Sequence, residues 1–229
     1  KETPTFFKAY DEKFQYVGRI DFSNAELPRF WAPGVYINAR FKGSFCEIEI
    51  NDEELYGKNH NYISIVVDNG PVKRIKLTGK KNTIRVADQL ADTEHTISII
   101  KDTESNIGHL EFVGMRCEEL LTPAPRPERK MEFIGDSITC GMGSDVTELA
   151  CESAEWYDQH NAYLSYGALT ARALKADWQL TAVSGIGLIH SCCELKYTMP
   201  DVVDKVNLRD NLLHWDFKHY QPDVLVICL

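Results

Sequence analysis

Apolar and polar positions alternate along the first half of the chain in short runs, the period-two pattern of strands with one face buried. Such runs fall at Tyr16–Phe22, Gly34–Phe41, Phe45–Ile50, Tyr62–Val67, Val72–Leu77, Thr83–Val86, Thr96–Ile100 and Leu110–Cys117. Asp68-Asn69-Gly70 separates two of them. This triplet favours a hairpin, because a tight primed turn needs positive φ, which Asn, Asp and Gly tolerate best. Gly79-Lys80-Lys81-Asn82 marks another break. Short strands at this spacing predict a β-sandwich of jelly-roll type over residues 1–120.

The pattern changes across residues 121–128, which hold Pro123, Pro125 and Pro127. Proline lacks the N–H that a central strand or helix interior requires, so this stretch reads as an extended linker or a strap across the first domain. From 129 to 229 strands and helices alternate. Lys130–Ile134, Trp178–Val183 and Asp223–Leu229 read as strands. Ala162–Leu174 reads as a helix with Ala162, Tyr163, Tyr166, Leu169, Thr170 and Ala173 on its apolar face, and Val206–Phe217 as a second helix. Strand, helix, strand, helix, strand implies a parallel sheet covered on both faces.

Composition narrows the function. The chain of 229 residues carries 34 acidic and 25 basic side chains, a formal charge of -9. Such a surface repels a phosphate backbone, so nucleic acid is not expected as a partner, whereas a neutral polysaccharide fits. No apolar run is long enough to span a bilayer. The polar start, Lys1-Glu2-Thr3-Pro4, fits a cytosolic protein or a mature secreted one. Seven cysteines include no Cys-x-x-Cys pair, which argues against structural zinc. Cys46 with Cys117, or Cys140 with Cys151, are candidate disulfides, with buried reduced thiols as the other reading. The neighbours Cys192 and Cys193 are not expected to bridge each other.

The sharpest chemical motif is Gly135-Asp136-Ser137-Ile138-Thr139, directly after the first parallel strand. Ligands of open parallel sheets bind beyond the carboxyl ends of the strands. A serine on a tight turn into a helix exposes its hydroxyl there and aims its own N–H at a developing oxyanion. The next strand ends in Ser184-Gly185-Ile186-Gly187, where an unencumbered glycine amide supplies a second donor. Thr139 stands where a Gly-x-Ser-x-Gly elbow has its last glycine, which disfavours an α/β-hydrolase.

Gly135-Asp136-Ser137-Ile138 and Ser184-Gly185 resemble the first two blocks of SGNH (GDSL-type) hydrolases. Following a β-sandwich, Gly-Asp-Ser-Ile-Thr-Cys-Gly and then Tyr163-Leu164-Ser165-Tyr166-Gly167-Ala168-Leu169 resemble carbohydrate esterase family 2. The resemblance implies a jelly roll joined to a three-layer SGNH α/β domain, and a secreted or periplasmic esterase. Its substrates would be acetylated hemicelluloses such as xylan and glucomannan, deacetylated without metal or other cofactor. It implies Ser137 as nucleophile, Ser137 and Gly185 amides as oxyanion donors, and Asp136 as a brace of the turn. It also implies a third block, Gly-x-Asn-Asp, and a late histidine that follows an aspartate by three residues. These are expected after a strand such as Val224–Leu229, in an omitted segment or on a second polypeptide, unless they have been lost.

Asp216-Phe217-Lys218-His219 has the Asp-x-x-His spacing but precedes the third strand, so it is expected at the opposite edge of the sheet. His190, close after Gly185, reads as a supporting histidine, and Gly187 as a packing glycine. Trp31, Trp156 and Tyr157 are candidates for stacking on sugar rings or for the core, and Tyr163 belongs to the core. Glu148, Glu152, Glu155 and Asp158 read as a solvated loop face. The alternatives to an acetyl esterase are a glycan-binding protein with an inactive α/β half, or a hydrolase of other acyl esters.

Overall fold

The computed structural model describes residues 3–150, 152–209 and 213–229. Nine strands form an antiparallel body: β1 (Thr5–Lys8), β2 (Gln15–Val17), β3 (Arg29–Phe30), β4 (Tyr36–Asp52), β5 (Tyr62–Val67), β6 (Lys73–Lys76), β7 (Lys81–Ala87), β8 (Glu94–Lys101) and β9 (Leu110–Leu121). Their main path runs β1-β9-β4-β8-β5-β6. The two runs expected at Gly34–Phe41 and Phe45–Ile50 are one continuous strand, β4, whose register against β9 slips between Lys42 and Cys46. A bulge of this kind lets a long strand bend instead of ending. β4 pairs with β2, β7, β8 and β9, and its inward residues Phe41, Ile48 and Ile50 are fully buried. The hairpin after β5 forms as expected: Asp68 and Asn69 take φ of 52° and 55°, and Gly70 N–H donates to the Val67 carbonyl at 2.8 Å.

Residues 122–127 have no regular structure and lie along β2. Gln15 Nε2 donates to the Ala124 carbonyl (2.7 Å) and Arg126 donates to the Tyr16 carbonyl (3.0 Å). A parallel three-stranded sheet follows, ordered β11 (Ala176–Ala182), β10 (Arg129–Gly135), β12 (Val224–Cys228). Helices α1 (Ser137–Cys140), α2 (Tyr166–Ala173) and α3 (Met199–Val202) lie between the strands.

The helical stretches differ from expectation in two ways. The segment Ala162–Leu174 breaks at Ser165, whose side chain caps α2 by accepting from Ala168 N–H. The buried face of α2 is Gly167, Ala168 and Ala171, while Leu169 is 47% exposed. Close approach explains this: a Cβ at Gly167 would lie 2.8 Å from Phe133 Cγ, so the sheet accepts small residues and turns Leu169 outward. The second expected helix, Val206–Phe217, is absent among its described residues, and 210–212 lie outside them. Lys205 and His214 instead form an isolated antiparallel bridge, and a 3-10 turn spans Phe217–His219.

Apolar packing is continuous from the antiparallel body into the parallel sheet. Ile134, Val183 and Ile186 share a cluster with Phe41, Ile48 and Phe112. Tyr36 stacks on Trp178 at 4.1 Å, and Trp178 Nε1 donates to the Gly34 carbonyl. Arg209 clasps Glu53 with two bonds, of 3.1 and 3.0 Å. No helix among the described residues is long and apolar enough to cross a membrane.

Candidate active site

Ser137 stands two residues beyond the carboxyl end of β10, the central strand of the parallel sheet, at the first position of α1. Asp136 caps the helix: its Oδ1 accepts from Ile138 N–H at 3.0 Å. That bond satisfies one of the free amides at the start of the helix. Gly135 is required at the bend, since a Cβ there would lie 2.0 Å from Thr139 Oγ1 and 2.7 Å from the Cys228 carbonyl oxygen. Among the described residues, nothing bonds the Ser137 hydroxyl or takes its N–H. Helix-start amides lack intrahelical partners, so this N–H is available to a ligand oxygen.

β10 and β11 run in register from Arg129–Ala176 to Gly135–Ala182, and Val183 N–H donates to the Gly135 carbonyl (3.3 Å). The loops carrying Ser137 and Gly185 therefore leave adjacent strands side by side. Gly185 has φ +79°, a conformation glycine adopts without strain, and its N–H has no partner among the described residues. Gly187 N–H donates to Ser191 Oγ at 3.1 Å, which leaves it a packing role and no free donor.

Cys192 and Cys193 form a disulfide against this loop, contrary to the expectation that neighbours would not bridge. The turn accommodates it because Cys193 and Glu194 both take positive φ, 60° and 65°. Cys192 N–H donates to the Gly185 carbonyl (2.8 Å). Cys46 and Cys117 are buried free thiols opposite each other on β4 and β9; Cys140 is also free, and Cys151 lies outside the described residues.

The antiparallel body reaches the same place. Glu104, in the turn between β8 and β9, is fully buried and accepts from both the N–H and the hydroxyl of Ser184. Burial pushes its carboxyl up, against the pull of those bonds. His160 is fully buried nearby, its Nδ1 3.8 Å from Glu104, and burial together with Arg74 and Lys101 pushes it down to about 4. Neither residue carried a motif. Asp102-Thr103-Glu104-Ser105 has the composition of a solvated turn, and only the fold buries it completely.

The other candidates separate. His190 is exposed on the Gly185 side. His219 lines a cleft of about 640 Å³ with Tyr16, Phe22, Arg126, Asp177 and Trp215. That cleft lies at the amino edge of the parallel sheet, beside Lys130 and Asp177, and so on the far side from Ser137. Trp31 is 5% exposed and packs on His109; Tyr157 is 2% exposed; Tyr163 stacks on Arg172. Trp156 alone of the four is exposed, edge-on to Tyr157 and His160. Glu148, Glu152 and Glu155 face solvent, but Asp158 is buried, because Tyr62 Oη and Lys76 Nζ both donate to it.

A fold that joins an antiparallel body to a parallel sheet in this way is matched among known proteins. Residues 16–127 match the family model described as "Carbohydrate esterase 2 N-terminal". Over that stretch the chain resembles carbohydrate esterase family 2. It is similar to the cellulase/esterase CelE of Acetivibrio thermocellus, 33% identical over 93% of this chain and 26% of that protein. It is also similar to an acetylxylan esterase/glucomannan deacetylase of Cellvibrio japonicus, 29% identical over 95% of this chain and 60% of that protein. Among solved structures, a family two carbohydrate esterase from Cellvibrio japonicus superposes with TM-score 0.87 at 28% identity, covering 99% of this chain and 67% of that one. One from Clostridium thermocellum in complex with cellohexaose gives 0.84 at 30% identity, covering 93% and 64%. The chain thus spans between about a quarter and three fifths of the curated relatives it matches.

Proposed function

We propose that this protein is a secreted serine esterase that removes O-acetyl groups from plant cell-wall polysaccharide of the xylan or glucomannan type. In this reading residues 1–120 form a jelly-roll domain, 121–128 a linker, and 129–229 the N-terminal portion of an SGNH α/β domain. The observation that carries it is Ser137, unbonded at a helix start on the central parallel strand, beside a second loop whose Gly185 amide is also unpartnered.

Ser137 Oγ attacks the acetyl carbonyl carbon as a base takes its proton. The carbonyl oxygen gains negative charge and is held by the N–H groups of Ser137 and Gly185. The tetrahedral adduct expels the sugar oxygen, which receives the proton, and leaves an acetyl-serine ester. Water, deprotonated by the same base, attacks that ester and releases acetate and Ser137. His219 is not that base, since it lies at the opposite edge of the sheet. The family resemblance assigns the role to a later histidine. A disulfide beside the site supports an oxidising, extracytoplasmic setting.

Acetate release from acetylated xylan by the full natural chain, compared with Ser137→Ala, tests the reading. The variant is expected to lose at least about a thousandfold in kcat while keeping its fold. Equal rates would falsify the esterase assignment, and faster turnover of long-chain esters than of acetate esters would reassign the substrate.

A further inference from the structure

We propose that Glu104 is a positioning residue for the oxyanion loop, so that the antiparallel body forms part of the acyl-transfer site. This rests on the esterase reading above and deepens it.

The carboxylate of Glu104 grips one residue twice. Oε1 accepts from Ser184 N–H at 3.1 Å and Oε2 accepts from the Ser184 hydroxyl. One buried side chain of the antiparallel body therefore holds the loop that carries Gly185.

The grip matters because of which peptide it brackets. The Gly185 N–H belongs to the peptide plane between residues 184 and 185. On one side of that plane Ser184 is held by Glu104. On the other side the Gly185 carbonyl is held by Cys192 N–H at 2.8 Å. An oxyanion donor accelerates reaction only if it is oriented beforehand. Glycine at 185 has the widest conformational freedom of any residue, so that orientation must be imposed from outside.

The turn behind Glu104 is itself anchored. Lys101 Nζ donates to the carbonyls of Thr103 and Glu104, Ile107 N–H donates to the Glu104 carbonyl, and Ala162 N–H donates to the Asp102 carbonyl. Lys101, Asp102, Thr103, Glu104 and Ser105 are all fully buried. A buried carboxylate costs stability unless its bonds are good, which makes an idle role for it expensive.

The test uses Glu104→Ala and Glu104→Gln in the full natural chain. Glutamine keeps the shape: its carbonyl can accept from Ser184 N–H while its amide donates to the hydroxyl. Glu104→Ala is expected to lower kcat by about 10- to 100-fold with KM within about twofold, whereas Glu104→Gln stays within about threefold of wild type. Hydrogen exchange of the bonded Ser184 and Ile186 amides should accelerate at least about tenfold in Glu104→Ala and not in Glu104→Gln. Unchanged kcat and exchange in Glu104→Ala overturn the proposal, as does a KM rise without a kcat loss. If Glu104→Ala does not fold, Ser184→Ala removes the hydroxyl half of the grip. It should then lower kcat several-fold and speed exchange, and wild-type values for both overturn the proposal. Exchange is read without turnover, so a wild type that hydrolyses no ester sinks the esterase reading, while exchange still decides whether Glu104 holds the loop.

Discussion

Arg19 Nη2 lies 3.1 Å from Glu132 Oε1, with both side chains withdrawn from water. Arg19 comes from the antiparallel body and Glu132 from the middle of β10. The arginine also donates to the carbonyls of Val203 and Lys205, while Gln179 and Thr181 donate to the same carboxylate oxygen. Burial lowers the guanidinium to about 10, with Glu132 resisting, so the arginine stays charged at neutral pH. Removing one partner strands the other charge in the interior. Arg19→Ala is therefore expected to cost about 3–5 kcal/mol in urea unfolding, and an Arg19→Met, Glu132→Leu double variant clearly less than the sum of the two single changes.

Gly185 tolerates no side chain. Its φ of +79° disfavours an L-residue, and an added Cβ would meet Cys192 Sγ at 2.8 Å. Gly185→Ala should lose about 1–2 kcal/mol of stability and at least about tenfold in kcat, because the loop must shift to admit the methyl. Steady-state kinetics and a melt on the same preparation check both; a variant with wild-type kcat removes Gly185 from the donor set.

The Cys192–Cys193 bridge leans on the same glycine, with Cys192 N–H on its carbonyl. Reduction frees two exposed thiols and loosens that hold. A mild phosphine reductant should lower kcat several-fold in parallel with alkylation of both thiols. A Cys192→Ser, Cys193→Ser variant should show the lower rate at once and ignore reductant. An unaltered rate after complete alkylation shows the bridge to be irrelevant to turnover.

His160 makes stability acid-sensitive. Burial, then Arg74 and Lys101, lowers it from 6.5 to about 4. Between those values the unfolded chain binds a proton that the folded chain refuses. The contribution is complete above pH 6.5 and drains away as pH falls toward 4, on the order of 2–3 kcal/mol. His160→Phe should flatten this part of the stability profile, measured by denaturant midpoints from pH 7 to pH 4; an identical slope in wild type and variant counts against it.

Local pattern was enough to find what local pattern determines. The hairpin at Asp68–Gly70, the strands β5, β10 and β11, and the placement of Ser137 after a strand all follow from residues within a few positions of one another. The failures share a cause. Val206–Phe217 has apolar residues enough for a helix, but Lys205 pairs with His214 and Arg19 takes the Val203 and Lys205 carbonyls, contacts no window of the sequence contains. Glu104 meets Ser184 across 80 positions, so nothing local in its turn of charged and hydroxyl residues signals that the fold encloses it. The apolar stripe proposed for α2 counted hydrophobicity where the sheet demanded small volume.

The clasp between Arg209 and Glu53 has a practical meaning for anyone building chimaeras from this protein. Here a foreign N-terminal cassette would have to bring its own acid to meet that guanidinium, and a hybrid lacking it would leave a cation facing the seam with no counter-charge.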